Sequence, residues 1–527
     1  MAVRAILFDT RSIQRYIFSG TKLKTNIGAS FIVDRLFQDV LVGKVLQDRF
    51  GEEMDADSWQ RDNADCHQMT SACKVAYIGG GNALILFKED IAPAELQQIV
   101  TDFTTQLLVD YPGLHTGAAI GALDLSSPES YKKTYQVLHD ELKKNQNTIF
   151  PQVNIPYTGL TLTCEINGEA ANHFDEVTQR FISKEAEAKI EKEAEANKAL
   201  RAEFEADIKG YDFPAELDRL GQRTPENYIA IVHIDGNNMG KKFNSCKDLS
   251  SRIAMSRSIS RKTRSTFAAL LRGIVKDHQE GRFGIELNQN KKGEYYLPIR
   301  PLILGGDDIT FICAGKVALE YTKRYIEMMR VPDGETAREI PQGIDCCAGI
   351  AILRTSYPFF RGYALAEQLC GEAKKKSRPK EGSCWIDFAL LHGEQAPTIG
   401  QIREQEYTGR FIKKMHFGPY EIGGDGASDL DNLLDTIQAV QTAIEEKRLA
   451  RNKVKELRYV LQRSEHDIKS VTEQMLHRKK TMPACAAWAA YEDRLWAEAD
   501  GERKTPYVDV IELLDFVCPG GAGYGEE

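Results

Sequence analysis

Two adjacent aspartates, Asp307 and Asp308, follow Gly305 and Gly306 in the run Leu302 to Ile309 (LILGGDDI), with apolar residues on either side. The pattern predicts a β-hairpin with acid at its tip. Glycines permit the positive φ of a tight turn, and neighbouring carboxylates repel unless a cation lies between them. A divalent metal is the natural occupant, and a phosphate is its natural partner. Upstream, Tyr228 to Ile234 (YIAIVHI) predicts a short strand that delivers Asp235 at its end. Gly236-Asn237-Asn238-Met239-Gly240 then opens a loop that runs into a helix. Such a loop can present amides to phosphate oxygens while Asp235 coordinates the ion. A lone Asp-Gly pair would be an ordinary turn; beside GGDD it becomes half of a site. His233 shares the strand face of Asp235 and reads as a packed histidine.

The elements that must hold these residues follow from periodicity. Helices are predicted over Leu249 to His278, Lys316 to Met329 and Phe359 to Lys376, and strands over Ile344 to Leu353 and Ser383 to Phe388. Asn288 to Glu294 reads as a surface insertion. Lys374 and Arg378, four apart, share the last face of their helix and form a cationic wall for triphosphate charge. A solvated helix end is the plainer reading of that run. The order β, helix, β-hairpin, helix, β, helix, β predicts a ferredoxin-like palm with an appended strand, in which Asp235 converges with Asp307 and Asp308.

HIDGNNMGKKF, LPIRPLILGGDDITFIC and the later AKKKSR occur in the order and spacing of a known family. They resemble the second palm of the large, polymerase-like subunit of type III CRISPR effector complexes, a family related to the GGDEF and class III nucleotidyl cyclase palms. The resemblance implies ATP bound through two divalent ions, Mg²⁺ or Mn²⁺, and 3′-5′ linked cyclic oligoadenylate as product. It implies Asp235, Asp307 and Asp308 as metal carboxylates, with the Ile234 carbonyl an extra ligand, and Lys374 and Arg378 as the phosphate-binding pair. Gly236, Asn237, Asn238, Met239, Gly240, Gly305 and Gly306 complete the expected nucleotide site. Family members in effector complexes usually start with an HD nuclease domain and carry a zinc module. This chain shows neither, and is expected to be a compact relative able to act alone. His139-Asp140 and His466-Asp467 are isolated pairs on predicted helices and read as surface residues.

The chain also repeats itself. Ala5 to Asp9 (AILFD) repeats the strand ending in Asp235, and Tyr77 to Asn82 (YIGGGN) stands where LILGGDD stands; 307 − 235 and 81 − 9 both equal 72. Thr116 to Leu123 and Tyr135 to Asn145 mirror the later strand and helix. Gly81 and Asn82 replace the carboxylate pair, so the first copy is expected to have lost its metal chemistry. SIQRYIF and LKTNIGAS resemble the family's degenerate first palm. Facing palms predict a donor nucleotide on the GGDD side and an acceptor held by Arg11, Ser12, Gln14 and the Gly79, Gly80 and Gly81 loop.

The expected class is therefore α+β: a degenerate first palm over residues 1–165, a charged helical linker over 166–220, the GGDD palm over 221–395 and a helical C-terminal domain over 396–527. Within the linker, Asn172 to Asp207 predicts one long surface helix that spaces the palms. In the C-terminal domain, Asp429 to Arg463 and Asp509 to Val517 are expected to be helical, and Pro519 to Glu527 a disordered tail. A net charge of −9 argues against a broad basic surface that tracks nucleic acid. The 11 cysteines lack zinc-like spacing and read as reduced, buried thiols. No apolar run spans a membrane and the N-terminus lacks a signal-peptide layout, which makes the cytoplasm the default expectation.

The expected activity is two-metal condensation of ATP or other nucleoside triphosphates into a cyclic di- or oligonucleotide messenger, in antiviral defence. The alternatives are an architectural subunit of an RNA-guided complex, with RNA and other subunits as partners, and an ATP-bound sensor. Three converging acids favour the first, because a scaffold has no physical need of them.

Overall fold

The computed structural model describes residues 2–61, 69–147, 159–176, 178–220, 227–282, 284–332, 334, 338–393, 398–499 and 501–518. The expected tail from Pro519 lies outside the described residues.

The first palm begins with β1 (Ala2–Arg11), α1 (Ile13–Phe18) and α2 (Leu23–Leu36), continues through α3 (Gln47–Phe50) and β2 (Met54–Asp55), and forms a hairpin from β3 (Cys73–Gly79) and β4 (Asn82–Phe87). α4 (Pro93–Asp110), β5 (His115–Asp124) and α5 (Pro128–Gln146) complete it. The sheet order is β2-β3-β4-β1-β5, and β1 is antiparallel to both β4 and β5. This is the ferredoxin-like arrangement, with β2 added at the edge.

The stretch 172–207 departs from the single surface helix expected of it. It is a hairpin of β6 (His173–Asp175) and β7 (Arg180–Ile182), followed by two short helices, α6 (Lys184–Glu191) and α7 (Glu193–Glu203). Both helices pack on α2. The reason is local: Lys189 is buried and donates to Glu185, to the Tyr16 carbonyl at 2.6 Å and to Ser19 at 2.8 Å. A charge pair satisfied in this way can enter an interface that composition alone assigns to solvent. Gly28 permits the contact, since a Cβ there would lie 1.8 Å from the Lys189 carbonyl oxygen.

A short ribbon pairs β8 (Tyr211–Asp212) with β10 (Tyr295–Tyr296) around the second palm, whose own elements begin with β9 (Tyr228–Gly236), α8 (Met239–Ser245) and α9 (Leu249–Gln279). The GGDD hairpin is β11 (Ile299–Gly305) and β12 (Asp308–Ala314). α10 (Ala318–Arg330), β13 (Cys346–Arg354), α11 (Phe359–Ser377) and β14 (Trp385–Leu390) follow. After α12 (Ile399–Glu406), β15 (Tyr420–Glu421) returns to pair with β14, giving the order β11-β12-β9-β13-β14-β15. The β11-β12-β9-β13 core repeats the first sheet's β3-β4-β1-β5.

The C-terminal region is not wholly helical as expected. β15 belongs to the palm sheet, and the span read as Asp429 to Arg463 is two helices, α13 (Leu430–Glu445) and α14 (Arg451–Leu461). After α15 (Glu465–His477), β16 (Ala497–Ala499) and β17 (Glu502–Lys504) form a hairpin before α16 (Tyr507–Leu513). α16 is sewn to the palm by buried charge: His416 lies 2.9 Å from Asp387 on β14 and 2.7 Å from Asp509 on α16. One continuous apolar core contains Phe8 and Phe103 of the first palm, Val232 and Phe311 of the second, and Leu433 and Val510 of the C-terminal region. Of the ten cysteines described, all are unpaired and only Cys485 is not fully buried. Among the described residues, no helix is long and apolar enough to cross a membrane.

Candidate functional site

The site is assembled at one end of the second sheet. β9 is central and apolar through Ile234, and it surfaces at Asp235. Asp308 is the direct cross-strand partner of Asp235, and Cys347 is its partner on the other side. The hairpin closes with Gly305 opposite Asp308, so the turn is Gly306 and Asp307. Gly306 has φ +57°, which glycine adopts without steric cost. Thr263 of α9 donates to the Gly306 carbonyl and fixes the turn from behind. Thr263 lies inside a long amphipathic helix, and nothing in its sequence position announces the role.

Gly236 is demanded by close approach. A Cβ on it would lie 2.9 Å from the Asp307 Cβ and 2.9 Å from the Met239 Cγ. Its amide donates to the Asp307 carbonyl at 3.1 Å, so strand end and hairpin tip are tied by backbone. Asp235, Asp307 and Asp308 are thus brought together. Burial first, then the charges of Asp235 and Asp308, push the Asp307 carboxyl up to about 6. Ile234 is fully buried between its partners Ile309 and Ala348.

Lys374 reaches in from α11 and donates to the Asp235 carboxylate and, at 3.4 Å, to the Gly236 carbonyl. Burial opposes its charge, but Asp235 outweighs burial and raises its pKa. Arg378 caps α11 and is exposed on the same face. Among the described residues, no set of three or more His, Cys, Asp or Glu side chains forms a ready metal cage. The Lys374 ammonium occupies the mouth of Asp235 instead.

The loop differs in one respect from its expected use. Asn237 is buried: its side chain donates to Ser377 at 2.9 Å and to the Ser383 carbonyl at 3.1 Å, and its amide donates to the Asp345 carbonyl at 2.7 Å. Asn237 therefore anchors the loop to the end of α11. Asn238, at φ +58°, turns the chain into α8, where Met239 and Gly240 form the first turn.

Behind Asp308, His233 Nδ1 lies 3.3 Å from Asp308 Oδ1 and 3.3 Å from Thr310 Oγ1. Asp308 Oδ1 is buried against this imidazole. Burial disfavours the imidazolium, yet Asp308, Asp235 and Glu367 together raise the His233 pKa. Tyr363 packs edge-on against His233 and is itself stacked, at 3.9 Å between ring centroids, on Phe18 of the first palm.

Of the residues expected on the acceptor side, only Gln14 comes to the carboxylates: its Nε2 lies 3.4 Å from Asp308 Oδ2. Arg11 instead donates to the Gln146 carbonyl, and exposed Ser12, at φ +52°, caps α1. Gly79, Gly80 and Gly81 remain at the tip of the first sheet, where a Cβ on Gly79 would meet Ser256 at 3.8 Å and one on Gly81 would meet Ile13 at 2.1 Å. At that tip Gln146 donates to Asp9, in the manner of Lys374 on Asp235.

Residues 228–383 match the family model of Cas10/Cmr2, second palm domain, which bears out for that segment the resemblance carried by its motifs. No curated protein matches the chain. Solved structures similar to it include the Csm1-Csm4 cassette in complex with pppApA, at 13% identity and a TM-score of 0.48, covering 98% of this chain and 69% of that one. The same cassette in complex with cA3 gives 14% identity and a TM-score of 0.47, covering 98% and 70%. The Csm1-Csm4 subcomplex in the type III-A CRISPR-Csm interference complex gives 14% identity and a TM-score of 0.45, covering 98% and 69%.

Proposed function

We propose, proceeding from a second palm of the Cas10/Cmr2 kind at residues 228–383, that the chain condenses nucleoside triphosphates, ATP first, into a cyclic di- or oligonucleotide. The observation that carries this reading is the meeting of Asp235, Asp307 and Asp308, acids from distant stretches of sequence, at one end of the sheet with Lys374 facing them. Burial and the neighbouring charges of Asp235 and Asp308 raise the Asp307 carboxyl, an effect a bound cation would offset. Carboxylate oxygens are hard donors suited to Mg²⁺ or Mn²⁺. Asp235, Asp307 and Asp308, with the Ile234 carbonyl, would hold two such ions, which when bound lower the pKa of the attacking hydroxyl and stabilise the leaving pyrophosphate.

The chain's own residues supply position. Lys374 leaves Asp235 for the β- and γ-phosphates, and Arg378 meets the same charge from one turn further on. The Gly236 and Asn237 amides are already engaged, so the phosphate cradle falls to Asn238, Met239 and Gly240. The acceptor 3′-oxygen bonds to the α-phosphorus as the bond from that phosphorus to the bridging α–β oxygen breaks. Pyrophosphate departs, and the hydroxyl proton leaves to solvent. Holding these atoms in line provides much of the acceleration. Nucleotides and, by analogy with the Csm1-Csm4 assemblies, neighbouring subunits of a CRISPR-type complex are the proposed partners.

The Lys374 to Asp235 ion pair favours a second reading, a palm that holds nucleotide without turnover. Incubating the purified full-length chain with labelled ATP and Mn²⁺ separates the two. Turnover gives pyrophosphate and a phosphatase-resistant product, both absent with Asp307→Ala. Saturable ATP binding with no product from the unmodified chain overturns the synthase reading.

A further inference from the structure

We infer that Gln14 is a positioning residue for Asp308, so that the first palm, although it lacks the acid pair at its own hairpin tip, is a working part of the second palm's site; this rests on the synthase reading above. Gln14 and Asp308 are 294 residues apart, and their contact exists only because the palms are docked face to face. α1 carries Gln14 on its outer side while Tyr16, Ile17 and Phe18 are buried behind it. Phe18 stacks on Tyr363 at 3.9 Å, and Ser30 of α2 donates to the Leu302 carbonyl on β11. The docking is therefore fixed on both sides of the contact, and Gln14 is delivered to a set position.

The chemistry of the contact is selective. An amide N–H can only donate, and it lies against Oδ2 of Asp308. The other oxygen, Oδ1, is buried and lies 3.3 Å from His233 Nδ1. Gln14 holds one oxygen and His233 faces the other, so the carboxylate is oriented from both sides. A free carboxylate would rotate between these roles, and a fixed one has its ligand oxygen placed before the ion arrives.

Internal symmetry shows that the contact runs one way only. The repeats are related without a gap over these residues, since 235 − 9, 238 − 12, 306 − 80 and 308 − 82 all equal 226. Ser12 and Asn238 share the left-handed conformation, as do Gly80 and Gly306. The counterpart of Gln14 is Gly240, where a Cβ would meet nothing within 4 Å, so space does not dictate that glycine. The second palm thus has no counterpart of the Gln14 side chain to offer Asn82, the residue standing where Asp308 stands. The amide donor is present only where there is a carboxylate to hold.

The test is a double-mutant cycle on the full chain with Gln14→Leu, which keeps the size and removes the donor, and Asp308→Ala. Two quantities are read: Mn²⁺ affinity by electron paramagnetic resonance, and the ion-free unfolding midpoint. Gln14→Leu alone is expected to weaken Mn²⁺ binding about three- to tenfold and to lower the midpoint, and both effects are expected to vanish on the Asp308→Ala background. Effects of equal size on both backgrounds mean that Gln14 only packs the interface, and overturn the proposal. Unchanged Mn²⁺ affinity in Gln14→Leu overturns it as well. Absence of Mn²⁺ binding by the unmodified chain overturns the synthase reading and the positioning role together. In that case coupling in the ion-free cycle still reports the contact.

Discussion

The two palms share a backbone and differ in what that backbone carries. Both have a central strand ending in aspartate, a left-handed residue that starts a short helix, and a hairpin with one bulge, at Val75/Tyr77 in the first and Pro301/Ile303 in the second. Even the bond across the tip is kept: Thr10 donates to the Gly81 carbonyl at 2.8 Å as Gly236 donates to that of Asp307. Yet the first palm fills its tip with side chains where the second has glycine and acid. Thr10 replaces Gly236, and Ile13 packs over Gly81 where Asp307 would stand. Gln146, which is neutral, takes the place of a lysine on Asp9. A fold can thus preserve its geometry after its chemistry has gone, because strands and turns are fixed by backbone bonds and apolar burial, whereas a cation site depends on a few side chains.

The comparison can be broken in four ways, from large effect to small. Asp308→Ala is expected to lower nucleotide turnover by about 10³-fold or more, measured as pyrophosphate release, while Asn82→Ala at the matching position leaves it within about twofold. Lys374→Met should raise the KM for ATP by about tenfold or more, and Gln146→Met should not; steady-state kinetics distinguish them. Rebuilding an acid in the first palm with Gly81→Asp should fail: φ is +77° there and Ile13 blocks the Cβ, so a loss of about 1–3 kcal/mol is expected from denaturant unfolding, with no gain of Mn²⁺ binding.

The smallest effect concerns pH. Asp307 holds its proton more tightly folded than unfolded, so between the ordinary carboxylate range and about pH 6 the folded state binds more protons. Its contribution to stability is then greatest at low pH and declines as pH rises through that window. Asp307→Asn should abolish this slope and raise the ion-free unfolding temperature at pH 7 by about one to two degrees, read by calorimetry.

Much of this was legible in the chain itself. Apolar strands ending in Asp9 and Asp235, the GGDD tip and the equal spacing of the copies are local patterns, and local patterns set strands and turns. The 172–207 stretch misled because Glu185 and Lys189 look solvated in composition, yet pair in the interior against α2. The β16–β17 hairpin lies in a region whose composition predicts helix, because two three-residue strands are too short to show a period. Asn237 was read as a phosphate contact because its loop is glycine-bearing; only the fold shows its amide turned inward to Ser377. The meeting of Gln14 with Asp308 depends on how two sheets dock, which no periodicity encodes.

The most direct measurement is anomalous diffraction at the manganese edge from crystals of the full chain grown with Mn²⁺ and a non-hydrolysable ATP analogue. The account predicts manganese peaks bounded by Asp235, Asp307 and Asp308, with Lys374 turned onto phosphate and no peak beside Asp9 and Asn82. Manganese absent from the second palm while the analogue is bound, or present equally in both palms, would contradict it.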